Sequence, residues 1–411
     1  MIEVVFLGDD FTGASDSLAT YSSRGWPARL VLNAGYASEG LMALGLPTDL
    51  RSVGPERALA DIANLWPRIE DANPRVLHFK VCSTFDSSPS TGSIGAVVVE
   101  LIERFKPDVI AVIGGQPSLG RYCVFGNLFA KGPDAKPHRI DRHPVMGQHP
   151  VTPMTEADLT RHLGAQGLGS LDPVPFTSLA DTSSIAQRMR HGPVLLDVVN
   201  LQDQAMIAQA LTLAGGRQLL IGASSVAEIL TMVADKAQMP AQVAPPESMG
   251  VLVFAGSRSA NTSEQVRNAR LFKKLALTPE AMRSDALIGS AVQRLQAGQR
   301  VLVHLDPEAD YGMNPSRLAD ASSWFVETVL DQVNVGYLGL AGGDTSSRIA
   351  ARLGFRVLDF ERSFGVGACV CVARHRSSER DRMRVMLKGG QMGQGDLFDA
   401  FAKSAGRPVE L

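Results

Sequence analysis

The residues best suited to chemistry stand in one turn near the amino end, Gly8-Asp9-Asp10-Phe11-Thr12-Gly13-Ala14-Ser15-Asp16. Adjacent carboxylates, a hydroxyl and a small-residue step are gathered there. A carboxylate within reach of a substrate hydroxyl can take its proton. The plainer alternative is a helix start, with one Asp as N-cap and the other solvated. A doubled Asp with Gly13-Ala14 behind it favours a site.

A second group lies in the latter half of the chain. Ala255-Gly256-Ser257-Arg258-Ser259, Ala341-Gly342-Gly343-Asp344-Thr345-Ser346-Ser347 and Lys388-Gly389-Gly390-Gln391 each follow an apolar run. Glycines let the backbone approach an anion, hydroxyls add donors, and a helix N-terminus supplies favourable polarity. Lys388 adds a point charge of the kind that serves against phosphate. Each turn alone is an ordinary strand-to-helix connection; together they favour a nucleotide phosphate site. Gly115 to Tyr122 has P-loop glycine spacing without the Lys-Ser/Thr ending, and no Gly-x-Gly-x-x-Gly fingerprint follows a strand. His138, His143 and His149 share one loop, but their spacing matches no zinc pattern and suits structural roles.

These groups need strands and helices to position them. Ile2 to Leu7, broken only by Glu3, reads as a buried strand, and Leu18, Ala19, Tyr21 and Ser22 continue at helical spacing. Strand patterns recur at 26–32, 76–81, 109–113, 194–199 and 219–221, with helical patterns over 55–69 and from Ile94. The acidic turn thus falls at the carboxyl end of a strand, where open α/β sheets bind ligands. Gly120 to Pro153 loses this alternation and reads as a lid or irregular excursion. Ala241 to Gly250 is the proline-broken linker candidate, and new strands follow at 251–254, 301–305, 337–340 and 356–358. The predicted fold class is α/β in two domains, each a mostly parallel sheet flanked by helices. The boundaries are 1–240, a linker at 241–250, and 251–411.

With 411 residues, 45% hydrophobic and 20% charged, the chain has the composition of a two-domain globular protein. A formal net charge of −2 makes no electrostatic case for nucleic acid or an anionic membrane surface. No apolar run approaches a membrane span, and a strand starting at the second residue leaves no room for a leader, so a cytoplasmic location is expected. Four cysteines are no disulfide framework, and Cys369 and Cys371 suit one face of a strand.

In this order the motifs resemble the four-carbon acid sugar kinase family over nearly the whole chain. The resemblance rests on Gly8 to Asp16, Thr48-Asp49-Leu50-Arg51-Ser52, Lys80 to Thr84, Gly120-Arg121 with Gly126 to Phe129, and His149 to Leu159. It continues through Gly256 to Ser259, Gly342 to Ser346 and Leu387 to Gly390. It implies an amino-terminal domain binding a sugar acid, a carboxy-terminal domain binding ATP with Mg²⁺, and chemistry in the cleft between them. Asp10, or Asp9, would be the base. Arg51, Lys80, Ser83, Thr84 and Asp86 would face the acid, with Arg51 gripping its carboxylate. Ser257, Gly342, Gly343, Asp344, Thr345, Lys388 and Gly389 would hold the nucleotide. A homo-oligomer is compatible with this picture.

The chain departs from the commoner family pattern at Cys82, which stands where an Asp precedes the Ser-Thr pair, and at Phe85 to Pro89, which replaces an Arg-Gly-Asn. Those changes point towards an oxidised or branched acid such as 3-oxo-isoapionate. A hydroxy-acid dehydrogenase using NAD and a nucleotide-regulated sugar-acid-binding protein are the competing functions.

Overall fold

The computed structural model describes residues 2–33, 39–149, 151–233, 243–365 and 367–405. Two compact units are distinguished, Met1–Ala28 with Ser38–Met239, and Arg29–Ala37 with Pro240–Leu411.

The first unit is built on strands in the order Asp172–Val174, Val194–Leu196, Val109–Ile113, Gln218–Gly222, Val76–Lys80, Val4–Gly8 and Ala43–Pro47. Every neighbouring pair is parallel. Val4–Gly8, Val76–Lys80 and Gln218–Gly222 are buried along their whole length, as a sheet covered on both faces requires. Helix Phe11–Ser23 begins inside the acidic turn, ahead of the helical spacing read from Leu18, because the Asp10 side chain caps it by accepting from the Gly13 amide at 2.6 Å. Ala43–Pro47, absent from the strand patterns read from sequence, is a full strand. Its Ala-Leu-Gly-Leu-Pro composition lacks the β-branched residues that mark strands.

The Gly120–Pro153 excursion is not irregular throughout. Gly115–Gln116, Arg121–Val124, Asn127–Lys131 and Pro137–Arg139 form a small antiparallel sheet. Phe125 and Gly126 join two of these strands with φ of 49° and 76°, the left-handed pair that a tight hairpin turn needs. The buried Asp197 carboxylate accepts from both of their amides, at 2.6 and 2.9 Å, and so offsets the cost of placing Phe125 there. The loop histidines act as fasteners: His143 accepts from the Val145 and Met146 amides, and His149 from the Thr152 amide.

In the second unit Lys273–Leu277, Val301–Leu305, Val251–Ala255, Tyr337–Ala341 and Arg384–Lys388 are parallel neighbours in that order. Ala368–Arg374 and Val357–Ser363 then continue the sheet antiparallel, followed by the strand Ala28–Val31 through its residues 29–31. The second sheet is therefore mixed, where a mostly parallel one was expected. Too few residues separate Ser363 from Ala368 for a crossover, so these strands can pair only as a hairpin. Cys369 and Cys371 are buried on one face of that hairpin, with sulfurs 3.9 Å apart. Residues 241 and 242 of the linker candidate lie outside the described residues. From Val243 it is held against the second unit, where Arg384 donates to the Val243 and Ala244 carbonyls at 2.6 and 2.8 Å.

His78 links the centre of the first sheet to its covering helix. Nε2 lies 3.3 Å from the Gly222 carbonyl and Nδ1 3.2 Å from the Tyr21 hydroxyl. A carbonyl partner makes Nε2 the protonated nitrogen, and Nδ1 then accepts, so the ring is neutral. Burial lowers its pKa to about 3. Between that value and the unfolded value near 6.5, the unfolded chain takes up a proton that the native one refuses. His78 therefore costs stability as pH falls through this window, by about 1.4 kcal/mol per pH unit. In urea titrations His78→Gln should be less stable than wild type at pH 7, with the gap narrowing towards pH 4. A gap independent of pH would mean that the native ring protonates.

Candidate active site

Asp9, Asp10, Arg51 and Lys80 meet at the carboxyl end of the first sheet because their strands are neighbours in register, Gly8 opposite both Pro47 and Lys80. Backbone bonds carry this lacing past the strand ends, from Asp9 N to the Lys80 carbonyl and from Arg51 N to the Asp9 carbonyl, each 2.9 Å. Arg51 donates from Nε and Nη2 to the two oxygens of Asp9, at 3.0 and 2.7 Å, and from Nη1 to Asp10 at 2.9 Å. Burial lowers the Arg51 pKa, but Asp10 and Asp9 outweigh it and hold the guanidinium well above its usual range. Burial conversely raises the Asp9 carboxyl above the ordinary range, against the pull of Arg51. Arg51, expected to await a substrate carboxylate, is thus engaged by two carboxylates of the chain. Asp10 is the more reachable acid, its side chain 20% exposed against 6% for Asp9.

Gly13 is what lets these groups converge. A Cβ there would lie 2.5 Å from Asp10 Oδ1, 2.8 Å from Lys80 Nζ and 3.7 Å from Arg51 Nη2. Lys80 is itself buried and donates to the Val81 carbonyl at 2.8 Å.

The Cys82–Asp86 turn adjoins this cluster. Thr84 donates to Asp86 and lies 2.9 Å from the Cys82 sulfur, while Ser83, Thr84 and Asp86 are all buried. Cys82 and Asp86 both lie within electrostatic range of Arg51, so the turn and the acidic cluster form one polar basin. Burial, reinforced by Asp86, raises the Cys82 thiol to about 11, which makes it a neutral hydrogen-bonding group and not a thiolate nucleophile. Phe85 takes a left-handed φ of 53°. His162, Gln166 and Ser87 brace it, with His162 Nε2 at 2.9 Å from Ser87 Oγ and 3.1 Å from the Phe85 carbonyl.

Other polar residues at this sheet edge escaped sequence reasoning. Ser224 donates to Asp16, whose carboxyl is raised by burial against the pull of Lys80. Glu228 is buried and accepts from Gln116, Ser118 and Gln204. The available signal was Gly222-Ala223-Ser224-Ser225, a small and hydroxyl run directly after a strand, the same pattern that marked the turns of the second half.

In the second unit the glycine turns also converge, because Val251–Ala255, Tyr337–Ala341 and Arg384–Lys388 are adjacent strands. The Gly256 and Ser257 amides donate to the Ala341 carbonyl, and the Gly342 amide to the Lys388 carbonyl. Gly342 takes φ of 115°, and a Cβ on it would lie 3.0 Å from the Ser257 nitrogen. It opens helix Gly343–Arg352 with no side-chain cap, and Asp344 is exposed in its first turn. Thr345 is buried under Gly256, where a Cβ would meet it at 2.6 Å. Gly389 is half-buried, and a Cβ on Gly390 would reach Ser257 Oγ at 2.6 Å. Lys388 sits deeper, 1% exposed, with Nζ donating to Thr262 Oγ1 at 2.8 Å and Gln265 Oε1 at 2.5 Å. Burial lowers its pKa to about 7. Its place in the structure is that of a pin beneath the Gly389-Gly390 turn. Among the described residues no three His, Cys, Asp or Glu side chains group to hold a metal.

Two family models match these two halves, a sugar-binding N-terminal domain over residues 4–230 and a nucleotide-binding C-terminal domain over residues 252–398. The chain belongs to the 3-oxo-tetronate and 3-oxo-isoapionate kinase family. It is 29% identical to a 3-oxo-isoapionate kinase of Paraburkholderia graminis, over 96% of this chain and 93% of that one. It is 30% identical to a 3-oxo-tetronate kinase of Pseudomonas fluorescens, over 95% and 94%. Family membership makes it an ATP-dependent phosphotransferase. Solved structures from Salmonella typhimurium LT2 and Haemophilus influenzae share the fold. Their TM-scores are 0.80 and 0.75 at 21% identity, covering 97% of this chain and 98% and 99% of theirs. No described helix is long and apolar enough to cross a membrane.

Arg51→Ala leaves Asp9 buried without its partner and should cost on the order of 3 kcal/mol of stability. Asp9→Asn in that background should recover part of the loss; simple addition of the two single losses in thermal unfolding would show that the pair is not coupled. Gly342→Val forces a branched side chain into a left-handed φ against Ser257. It should abolish the rise in melting temperature that ATP gives the wild type, and an undiminished rise would move the phosphate site elsewhere.

Proposed function

We propose that the chain phosphorylates a hydroxyl of a small sugar acid with ATP, the acid being a four-carbon acid sugar, its 3-oxo form or branched 3-oxo-isoapionate. The observation that carries this reading is the presence in one chain of two differently equipped sheet edges. One gathers carboxylates, hydroxyls and cations around Arg51. The other presents an uncapped helix start at Gly342 and Gly343.

In this mechanism Asp10 receives the proton of the attacking hydroxyl. Arg51 and the Gly13 amide hold its carboxylate in place, and each oxygen retains a lone pair for the substrate. Asp9 acts through Arg51, fixing the guanidinium that orients Asp10. Ser83, Thr84, Asp86 and Lys80 contribute the polar lining that reads the acid's hydroxyls. Amides from Gly342 to Thr345, with Ser257 and Gly389, receive the phosphates. The exposed Asp344 suits a magnesium ion that otherwise relies on phosphate oxygens and water. When bound, that ion supplies charge neutralisation on the phosphates. Transfer requires the acceptor hydroxyl and the terminal phosphate to meet in line. The closeness of Cys82 to the Arg51 cluster, where an Asp is commoner, supports a 3-oxo or branched acid over a plain tetronate, because the pocket has one charge fewer.

A coupled ADP-release screen over four- and five-carbon sugar acids and their 3-oxo forms should give Mg²⁺-dependent turnover with at least one of them. Binding of acid and ATP with no ADP formed would make the protein a sensor. Asp10→Asn keeps a helix-capping side chain, so the fold should survive while kcat falls about 10²–10⁴-fold. Near-wild-type turnover in both Asp10→Asn and Asp9→Asn would move the base elsewhere.

A further inference from the structure

The first unit presents a second arginine whose charge has no counterpart among the described residues. Arg121 opens the strand Arg121–Val124 and pairs in register with Gln116, just past the carboxyl end of Val109–Ile113. It therefore lies at the same edge of the sheet as Arg51 and Lys80. Its Nη1 donates to the Leu119 carbonyl, while its Nε is buried with no partner. Among the described residues no carboxylate lies within ion-pair distance of it.

Among the described residues Lys80 at this edge has only the Val81 carbonyl as its partner, and the remaining charged groups are committed. Arg51 spends three N–H groups on Asp9 and Asp10. Glu228 is taken up by Gln116, Ser118 and Gln204, all neutral donors. Asp16 accepts from Ser224, and Asp86 from Thr84. Cys82 lies within electrostatic range of both Arg51 and Arg121, so the Arg121 guanidinium and the Cys82–Asp86 turn share this edge of the sheet. Burial pulls the Arg121 pKa below its usual range, with only Cys82 acting the other way. A guanidinium cannot escape this cost by losing its proton at neutral pH. An incoming anion relieves it, and a planar carboxylate matches the guanidinium fork.

We infer that Arg121, and not Arg51, anchors the carboxylate of the acid substrate, while Arg51 organises the two aspartates at the reacting hydroxyl. This rests on the sugar-acid reading above and assigns the anchoring role within that site. The division has a physical reason. A guanidinium already neutralised by two carboxylates offers a third little attraction, whereas an unpaired one offers its full charge. It also separates the two ends of the acid, the carboxylate at the hairpin side of the basin and the reactive hydroxyl at the Asp10 side.

The test compares D-erythronate with its neutral amide, titrated by calorimetry into the full-length protein without nucleotide. Wild type should prefer the acid by about 10–100-fold, the range of a charge-assisted pair. Arg121→Gln should erase that preference, and Arg121→Lys should keep part of it. The melting-temperature rise given by ATP should be unchanged in both, which also reports that they fold. Arg51→Lys should retain the preference for the acid. A wild type without preference, or an Arg121→Gln variant that keeps it, overturns the anchor. An Arg121-dependent preference with no ADP released from any acid of the screen would leave the anchor standing and remove the kinase reading.

Discussion

The arrangement of the first unit depends on one guanidinium. Arg51 holds both oxygens of Asp9 and one of Asp10, and two like charges on consecutive residues are tolerable only because of it. Without that cation, Asp9 would be a buried charge at a strand end and Asp10 would repel it. With it, the strand end, the helix cap and the segment after Ala43–Pro47 are tied at one point. Gly13 is the steric condition for this knot, since a side chain there would occupy the space of the Asp10 carboxylate and the Lys80 ammonium.

Three kinds of restraint then hold the surrounding polar groups. Backbone lacing past the strand ends fixes Asp9 and Arg51. Buried side chains brace turns that are strained on their own: His162 and Gln166 behind Phe85, and Asp197 behind the Phe125-Gly126 hairpin. Neutral donors satisfy the carboxylates not used in the cluster, as Gln116, Ser118 and Gln204 do for Glu228. Such preorganisation is what phosphoryl transfer asks of a protein, because the reaction needs positioning and charge placement more than covalent help.

The second unit solves its own problem with backbone. Close approach at Gly256, Gly342 and Gly390 packs three turns against one another, and a side chain at any of them would meet a neighbour at 2.6–3.0 Å. Helix Gly343–Arg352 thereby starts at Gly342 without a capping side chain. Lys388 serves this arrangement from beneath by tying the last turn to Thr262 and Gln265.

Much of this was legible in the amino-acid order. Apolar runs ending abruptly in Gly, Asp, Ser and Thr marked strand ends, and strand ends are where an α/β sheet binds ligands. The family resemblance then named Asp9, Asp10, Arg51, Lys80 and the Ser83–Asp86 turn as one group, and Ser257, Gly342 to Thr345 and Gly389 as another. Local pattern could not say which charges neutralise which, because that depends on strands far apart in the chain. Only the sheet order makes Arg51 the partner of Asp9, buries Lys388 under its own turn and leaves Arg121 with no carboxylate among the described residues. The mixed second sheet was likewise invisible, since an apolar strand reads the same in either direction and only the short hairpin link decides. Residue type set the available chemistry; the pairing of distant strands decided which groups were already spent.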